Sequence, residues 1–295
     1  MRQGRASRTA EHNALFRTLE SSRPSSDRLF EDPLAEAFLS PDLRAVALAA
    51  RARLVRATVL GIIDGRWPGV RTSVVARTRL IDDTISTVIN DVGQVVILGA
   101  GFDTRPYRLS TMADRAVFEI DHPDTQRRKR QRLQRRRVPC EHVSFGSADF
   151  APGGVDLGAA LGAAGYNPSV PALILCEGVT NYLDGHAVDT ILKWCAAATA
   201  GSHLIFTYID RQVLDDPSSY VGAERVFTTL RRANESMTFG LEPEHLDAYL
   251  LDRGLALEND LGAADYRHRY FGAFADRMVG HEFYRVAHAR VLDRT

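Results

Sequence analysis

The sequence VVILGAGFDTR, at positions 95–105, constrains the fold more than any other part of the chain. It begins with a run of β-branched and leucine residues, which is typical of a strand buried on both faces of a parallel sheet. Gly99 and Gly101 follow at once, and small residues at the end of such a strand let the backbone pass close to a ligand. The pattern therefore predicts the start of a β-α-β unit and an α/β fold with a binding site at this turn.

A second strand, AVFEI at 116–120, lies about twenty residues after the first. Glu119 lies within it, and Asp121 follows it directly. At this place in nucleotide-binding folds, an acidic side chain accepts hydrogen bonds from the hydroxyls of a ribose. An adenosine-containing cofactor is therefore indicated. The residues alone leave both acids as candidates for the ribose contact.

The residues of the turn distinguish between two adenosine cofactors. A nicotinamide-binding turn follows the pattern GxGxxG, in which the third glycine allows close helix packing and the helix N-terminus receives a pyrophosphate. Here the third position is Thr104, and Asp103 would face the pyrophosphate. A negative side chain disfavours a dianion but suits a sulfonium and an amino group. S-adenosyl-L-methionine is favoured, and an NAD(P)-dependent oxidoreductase remains the alternative.

The remainder of the chain alternates strand and helix patterns, which predicts a doubly wound, mostly parallel sheet whose last strand is antiparallel. One crossover carries clear helix signals, with Asp184 as the N-cap and Gly201 as the terminator. The further predicted strands are EHVSF (141–145), PALILC (171–176), SHLIFTYI (202–209), a strand near LALEN (255–259), and EFYRVAHARV (282–291).

Two long segments fall outside this alternation. Residues 1–90 show helical patterns without a convincing strand, and they predict a helical N-terminal cap whose last helix, 72–91, leads into a core at 91–295. Residues near 211–240 are too long for a simple loop, so we expect an inserted helix that helps to cover the site.

Charge and cysteine content narrow the function classes. The chain has 37 basic and 37 acidic residues, so no overall field attracts it to nucleic acid or to a membrane surface. The arginine-rich run at 127–137 is interpreted as a solvated helix face. Cys140, Cys176 and Cys195 lack the spacing of a metal or disulfide framework. Neither a signal-peptide pattern nor an apolar run of about 18 residues occurs, so a cytoplasmic location is expected.

Four motifs in order, ARTRLIDD, VVILGAGFDTRPYRL, FEIDHPDTQRRK and CEGVTNYL, lie between about residues 77 and 183. Together with the segment SRPSSDRLFEDPLAEAFL, they resemble the leucine carboxyl methyltransferase family, in particular its bacterial branch of S-adenosylmethionine-dependent and polyketide-tailoring O-methyltransferases. The resemblance implies a Rossmann-like class I methyltransferase fold and a small-molecule acceptor. It gives no oligomeric state.

The resemblance also implies roles for individual residues. Arg77 would pair with the methionine carboxylate, for which a forked guanidinium is suited. The alternative is that Arg77 is an arginine on the exposed surface of a helix. Asp121 would bind the ribose, and Glu177 would lie beside the amino group of the donor. The full set of implied cofactor-binding residues is Arg77, Gly99, Ala100, Gly101, Asp103, Asp121, Asp149, Phe150 and Glu177.

The reaction itself requires few catalytic side chains. Methyl transfer from a sulfonium is an in-line displacement that depends on positioning the acceptor and excluding water. The resemblance places Tyr182 near the acceptor, and His122 is the candidate base for a phenol, unless it is a packing residue. A carboxylate is already ionised and needs no base, so the lack of a clear base motif slightly favours it. A carboxylate and a phenolic hydroxyl of a polyketide or other secondary metabolite both remain open.

Overall fold

The computed structural model describes residues 8–150 and 156–293. The first seven residues of the predicted cap and the last two of the predicted core therefore lie outside the described residues. Within these ranges the chain forms a seven-stranded sheet of order β3-β2-β1-β4-β5-β7-β6. Its strands are β1 Gln94–Leu98, β2 Ala116–Asp121, β3 Val143–Ser147, β4 Ala172–Cys176, β5 His203–Ile209, β6 Leu255–Gly262 and β7 Tyr284–Val291.

Strand direction in the sheet agrees with the sequence. The pairs among β1 to β5 are all parallel, whereas β7 runs antiparallel to both of its neighbours, β5 and β6. This confirms the prediction of a doubly wound, mostly parallel sheet with an antiparallel last strand. β1 lies between β2 and β4, where the order of the strands reverses, and open α/β sheets bind ligands in the crevice at such a point.

Helices pack on both faces of the sheet. They are α1 Arg8–Ser21, α2 Pro41–Ala49, α3 Arg53–Arg66, α4 Val70–Val88, α5 Arg105–Arg108, α6 Pro123–Arg135, α7 Leu157–Ala164, α8 Gly185–Ala196, α9 Gln212–Asp215, α10 Ala223–Arg232, α11 Leu246–Leu251 and α12 Ala263–Phe271. None of the helices in the described ranges is long and apolar enough to cross a membrane.

α4 joins the N-terminal helices to the sheet. Val74 and Val75, near its start, pack in the cluster formed by α1 and the other N-terminal helices. Ile81 and Ile85, further along, pack in the cluster against β1 and β4. This helix is the predicted one, and its helical apolar spacing follows directly from its burial on both sides.

Local signals were correct at one end of α8 and wrong at the other. The Asp184 side chain accepts a hydrogen bond from the amide of Ala187, which confirms the predicted N-cap. The helix ends at Ala196, however, and Gly201 lies further on, with φ +81°. Its amide donates to the carbonyl of Val291, so this glycine shapes the entry to β5 rather than the end of the helix. β3 likewise begins two residues later than the sequence predicts.

The segment near 211–240 contains helices α9 and α10. α10 buries Ala223, Phe227 and Leu230, which pack with Phe283 and Tyr284 at the start of β7. The insertion therefore packs against the sheet at the start of β7 rather than extending into solvent.

Candidate active site

A cavity of about 550 Å³ lies at the carboxyl ends of β1, β2 and β4. Its floor is the loop 99–105 after β1, and its walls come from α1, the start of α4, α10 and the segment 234–237. The volume falls in the range of about 300–1,000 Å³ that is usual for small-molecule sites. The cavity therefore joins the sheet edge to both segments that interrupt the alternation.

The floor of the cavity depends on two glycines in the left-handed region. Gly99 has φ +64° and Gly101 has φ +43°. A Cβ on Gly99 would lie 2.3 Å from Cγ2 of Val179, so no larger residue fits there. The amide of Gly101 donates a hydrogen bond to Oδ2 of Asp121 at 2.6 Å, which fixes the loop against the end of β2.

The two acidic residues of β2 have different surroundings. Asp121 lines the cavity and also accepts a hydrogen bond from the amide of His122. Burial raises the pKa of Asp121, although its backbone hydrogen bonds act in the opposite direction. Glu119 is buried away from the cavity, where it pairs with Nζ of Lys129 at 2.8 Å and accepts a hydrogen bond from the hydroxyl of Tyr107. Of the two candidates, only Asp121 reaches the ligand space in the described structure.

Lys129 also corrects the interpretation of the run 127–137 as a solvated face. Most of its residues are exposed, but Lys129 on α6 is buried, where it pairs with Glu119 of β2. Arg132 is half-buried and donates to the carbonyls of Ala37 and Leu39. Part of the run therefore holds α6 to the sheet and to the N-terminal cap.

A network of opposite charges forms the end of the cavity near β4. Oε1 of Glu177 accepts from Nε of Arg77 at 2.8 Å, and Oε2 accepts from Nη1 of Arg105 at 2.7 Å. Arg105 also pairs with Asp103 and with Asp82. Arg77 is only 3% exposed, so the alternative of a surface helix residue is wrong.

Burial and the two arginines act against each other on the acids of this network. Burial alone would raise the pKa of Glu177, but Arg105 and Arg77 outweigh it and lower that pKa. In the same way, Arg105 and Lys129 overcome the burial of Asp103 and lower its pKa to about 2. Both acids are therefore ionised at neutral pH, and the network keeps its charges fixed.

The remaining predicted residues also line the cavity. Asp149 and Phe150 follow β3, the first exposed and the second half-buried. Tyr182 lies in the short 3₁₀-helix after β4, and burial raises its pKa. His122 is the N-cap of α6, where its Nδ1 accepts a hydrogen bond from the amide of Asp124 at 3.2 Å. In a neutral ring this leaves the proton on Nε2, which then acts as a donor.

The sequence did not indicate several residues that complete the site. Asp82, on α4, pairs with Arg105 and Arg108, and its place in ARTRLIDD was the available signal. His281 and Tyr284 line the cavity from the turn before β7 and from its first residue. They belong to no recognisable motif, because only the antiparallel return of β7 brings them to the site.

Comparisons with known proteins show similarity to methyltransferases. The family model of leucine carboxyl methyltransferase matches residues 10–196. A protein of Frankia alni, provisionally named an S-adenosyl-L-methionine-dependent methyltransferase, is 33% identical over 211 residues, which is 70% of each chain. A protein of Streptomyces coelicolor with the same provisional name is 33% identical over 219 residues, again 70% of each chain.

Solved structures show the same fold. A crystal structure of a provisionally named methyltransferase from Thermobifida fusca matches with a TM-score of 0.58 at 18% identity, covering 93% of this chain and 97% of that one. A member of another family from Streptomyces avermitilis matches with a TM-score of 0.57 at 14% identity, covering 92% and 99%. At these identities the likeness concerns the fold alone.

Proposed function

Since the chain belongs to the leucine carboxyl methyltransferase family and is an S-adenosyl-L-methionine-dependent methyltransferase, we propose that it methylates the oxygen of an aromatic hydroxyl on a small molecule, such as a polyketide. The nicotinamide alternative is not favoured, because Asp103 and Thr104 stand where a pyrophosphate-binding turn needs a small, uncharged loop. The donor supplies a methyl group bound to a positively charged sulfur. The oxygen of the acceptor bonds to the methyl carbon, and the sulfur leaves.

The residues around the glycine loop fit such a donor. Asp121, which already holds the loop, is placed to accept hydrogen bonds from the ribose hydroxyls. Arg77 donates a hydrogen bond from Nε to Glu177. In our proposal its Nη nitrogens donate to the carboxylate of the donor. Glu177 offers its negative charge to the donor's amino group. Gly99, Ala100 and Gly101 give the close backbone approach that adenosine requires.

The proposal for the acceptor rests on the residues that line the other end of the cavity. Their aromatic and aliphatic part is formed by Phe16, Trp67, Val70, Val74, Val226, Leu230 and Met237. The charged wall residues are one acid, Glu235, and two arginines, Arg17 on α1 and Arg77 on α4, among the described residues of α1, α4, α10 and the segment 234–237 that line the cavity.

The arginines that do line the cavity already have acidic partners among the described residues. Arg17 pairs with Asp32, and Arg108 pairs with Asp82. The remaining two, Arg77 and Arg105, pair with Glu177, and our proposal assigns the other nitrogens of Arg77 to the carboxylate of the donor. A carboxylate acceptor would be buried without a free cation, which is costly, whereas a neutral aromatic hydroxyl is not penalised in this way. The lack of a free cation among the described residues of the cavity therefore favours a hydroxyl acceptor. This outweighs the slight preference for a carboxylate that the missing base motif suggests.

Matched pairs of acceptors test the proposal. The enzyme is incubated with methyl-labelled S-adenosylmethionine and either 1-naphthol or 1-naphthoic acid, and with 1-hydroxyanthraquinone or anthraquinone-1-carboxylic acid as larger probes. We expect labelled methyl ethers and little methyl ester, measured by mass spectrometry. Formation of esters alone would reject the hydroxyl acceptor but leave the methyltransferase activity intact. S-adenosylhomocysteine should raise the Tm of the protein in the same preparation, and NAD should not.

A further inference from the structure

His281 is a cavity residue that the proposed donor site leaves unexplained. Its side chain is 4% exposed and lines the cavity. Its Nδ1 is buried and has no hydrogen-bond partner within residues 8–150 and 156–293. A buried polar atom without a partner is costly, and in native proteins it usually has a reason.

The backbone at this position is held in a conformation that histidine adopts infrequently. His281 has φ +65°, in the left-handed region. The preceding Gly280 donates its amide to Glu282 at 2.6 Å and accepts from Nη1 of Arg267 at 2.8 Å, while Arg267 and Glu282 form an ion pair. A Cβ on Gly280 would lie 2.5 Å from the carbonyl oxygen of Pro68. Conformations that neighbours enforce in this way are concentrated at functional sites.

A column of stacked groups connects His281 to the donor end of the cavity. Its imidazole stacks on the ring of Tyr284, with centroids 5.1 Å apart and an angle of 11° between the planes. The guanidinium carbon of Arg77 lies 4.5 Å from the centroid of the same Tyr284 ring. Since Arg77 bonds to Glu177, the imidazole lies one aromatic ring away from the network assigned to the donor's amino acid end.

The surroundings of His281 also fix its charge. Burial, and then the positive charges of Arg77 and Arg267, lower its pKa to about 3. The ring is therefore neutral at physiological pH, and one of its nitrogens has a lone pair that accepts a hydrogen bond.

We propose that the imidazole of His281 accepts the hydrogen bond of the substrate hydroxyl and then takes its proton, an inference that rests on the proposed function. As the hydroxyl oxygen forms its bond to the methyl carbon, the bond from carbon to sulfur breaks and its electron pair remains on sulfur. The hydroxyl proton passes to the imidazole and from there to solvent. A base this weak does not ionise a phenol of pKa about 10 in the ground state, so the proton moves after the new O–C bond has made it acidic.

This role distinguishes acceptors by whether they carry a hydrogen to donate. A hydroxyl donates its hydrogen to the ring nitrogen that carries the lone pair, whereas an ionised carboxylate or a methyl ether has no hydrogen to donate. The site would thus favour the substrate over its methylated product.

Calorimetry on the full chain saturated with S-adenosylhomocysteine tests this discrimination. The probes are 1-naphthol, 1-methoxynaphthalene, which lacks the hydroxyl hydrogen, and 1-naphthoate. His281→Gly removes the ring while glycine adopts the left-handed backbone freely. His281→Asn tolerates that backbone and keeps a hydrogen-bond acceptor. His186→Ala, at an exposed histidine on α8, is the matched control.

We expect the wild type to prefer 1-naphthol over the methyl ether by about tenfold, and His281→Gly to lose that preference. His281→Asn should recover most of it, and the affinity for S-adenosylhomocysteine should be unchanged in every variant. A preference that persists in His281→Gly overturns the role of His281 while the hydroxyl acceptor stands. If the wild type prefers 1-naphthoate, or binds none of the three probes while it binds S-adenosylhomocysteine, the proposed acceptor itself is rejected.

Discussion

Asp121 bonds through both carboxylate oxygens to backbone amides, those of Gly101 and His122. The same side chain is our candidate for the ribose, so Asp121→Ala should remove a ligand contact and loosen the loop together. We expect the affinity for S-adenosylhomocysteine, measured by calorimetry, to fall by about 1–3 kcal/mol. Asp114→Ala, in the exposed turn before β2, is the control and should bind normally. Unchanged affinity in Asp121→Ala would remove this residue from the site.

His281 should make the stability of the protein depend on pH in a defined direction. Its pKa is about 3 in the folded chain, whereas an unfolded histidine titrates near 6.5. Between these values the unfolded state binds a proton that the folded state does not, so stability is lost as the pH falls below 6.5. The slope approaches about 1.4 kcal/mol per pH unit for one proton.

Urea unfolding of the wild type and His281→Asn between pH 7 and pH 4.5 isolates this contribution. Other groups that titrate in this window, including His288, are shared by both proteins and cancel in the difference. The wild type should lose more stability than the variant on acidification. Parallel curves would mean that the imidazole is protonated in the folded chain.

The buried pair of Lys129 and Glu119 attaches α6 to β2, and Lys129 also donates to the carbonyl of Ala100 in the glycine loop. Lys129→Met leaves the carboxylate buried alone, which typically costs about 3–5 kcal/mol. Burial already raises the pKa of Glu119, and loss of the lysine raises it further. The folded variant would then hold a proton that the unfolded chain releases, so its stability falls as the pH rises. Unfolding in urea should therefore show a larger deficit at pH 8 than at pH 5.

Two further variants show whether charge is the cause. The double variant Lys129→Met with Glu119→Gln should recover most of the stability, since no buried charge remains. Arg130→Met, on the exposed face of the same helix, should change stability by less than about 0.5 kcal/mol. An equal deficit at both pH values would indicate lost packing instead of an unpaired carboxylate.

The elements that the sequence predicts best are those whose burial is uniform. β1 matches its prediction because all five residues are buried and the four after Gln94 are apolar. Asp184 was predicted correctly as the N-cap of α8, because capping depends on a hydrogen bond between residues close in sequence. Gly201 was assigned wrongly, since the left-handed conformation serves a contact with β7, which no local pattern records.

The site shows the same division between local and distant causes. The glycine loop and Glu177 follow directly from strand ends and are readable from the chain. The contact between Arg77 and Glu177 spans 100 positions, and His281 reaches the cavity only through the pairing of β7 with β5 and β6. Lys129 illustrates the limit of composition, because one lysine in a run of exposed cations is the one that is buried.

The cap and the insertion meet over the cavity, although more than 150 positions separate them in the chain. Thr9 on α1 donates to Glu235, and the indole of Trp67 donates to Thr229 on α10 at 3.1 Å. Both segments line the cavity whose floor is the proposed donor site. We therefore propose that they form a cover that closes when the donor is bound.

Hydrogen exchange on the intact protein measures this closure. A ligand that contacts the floor and favours the closed state should slow exchange in α1 and α10, because both depend on the same contacts. We expect added S-adenosylhomocysteine to protect both helices and to leave α8, which packs on the sheet away from these contacts, unchanged. Trp67→Phe removes the indole donor, so the protection of α10 should decrease more than that of α1. No change in either helix on adding the ligand would contradict a closing cover, and protection of α1 alone would show that the two segments move independently.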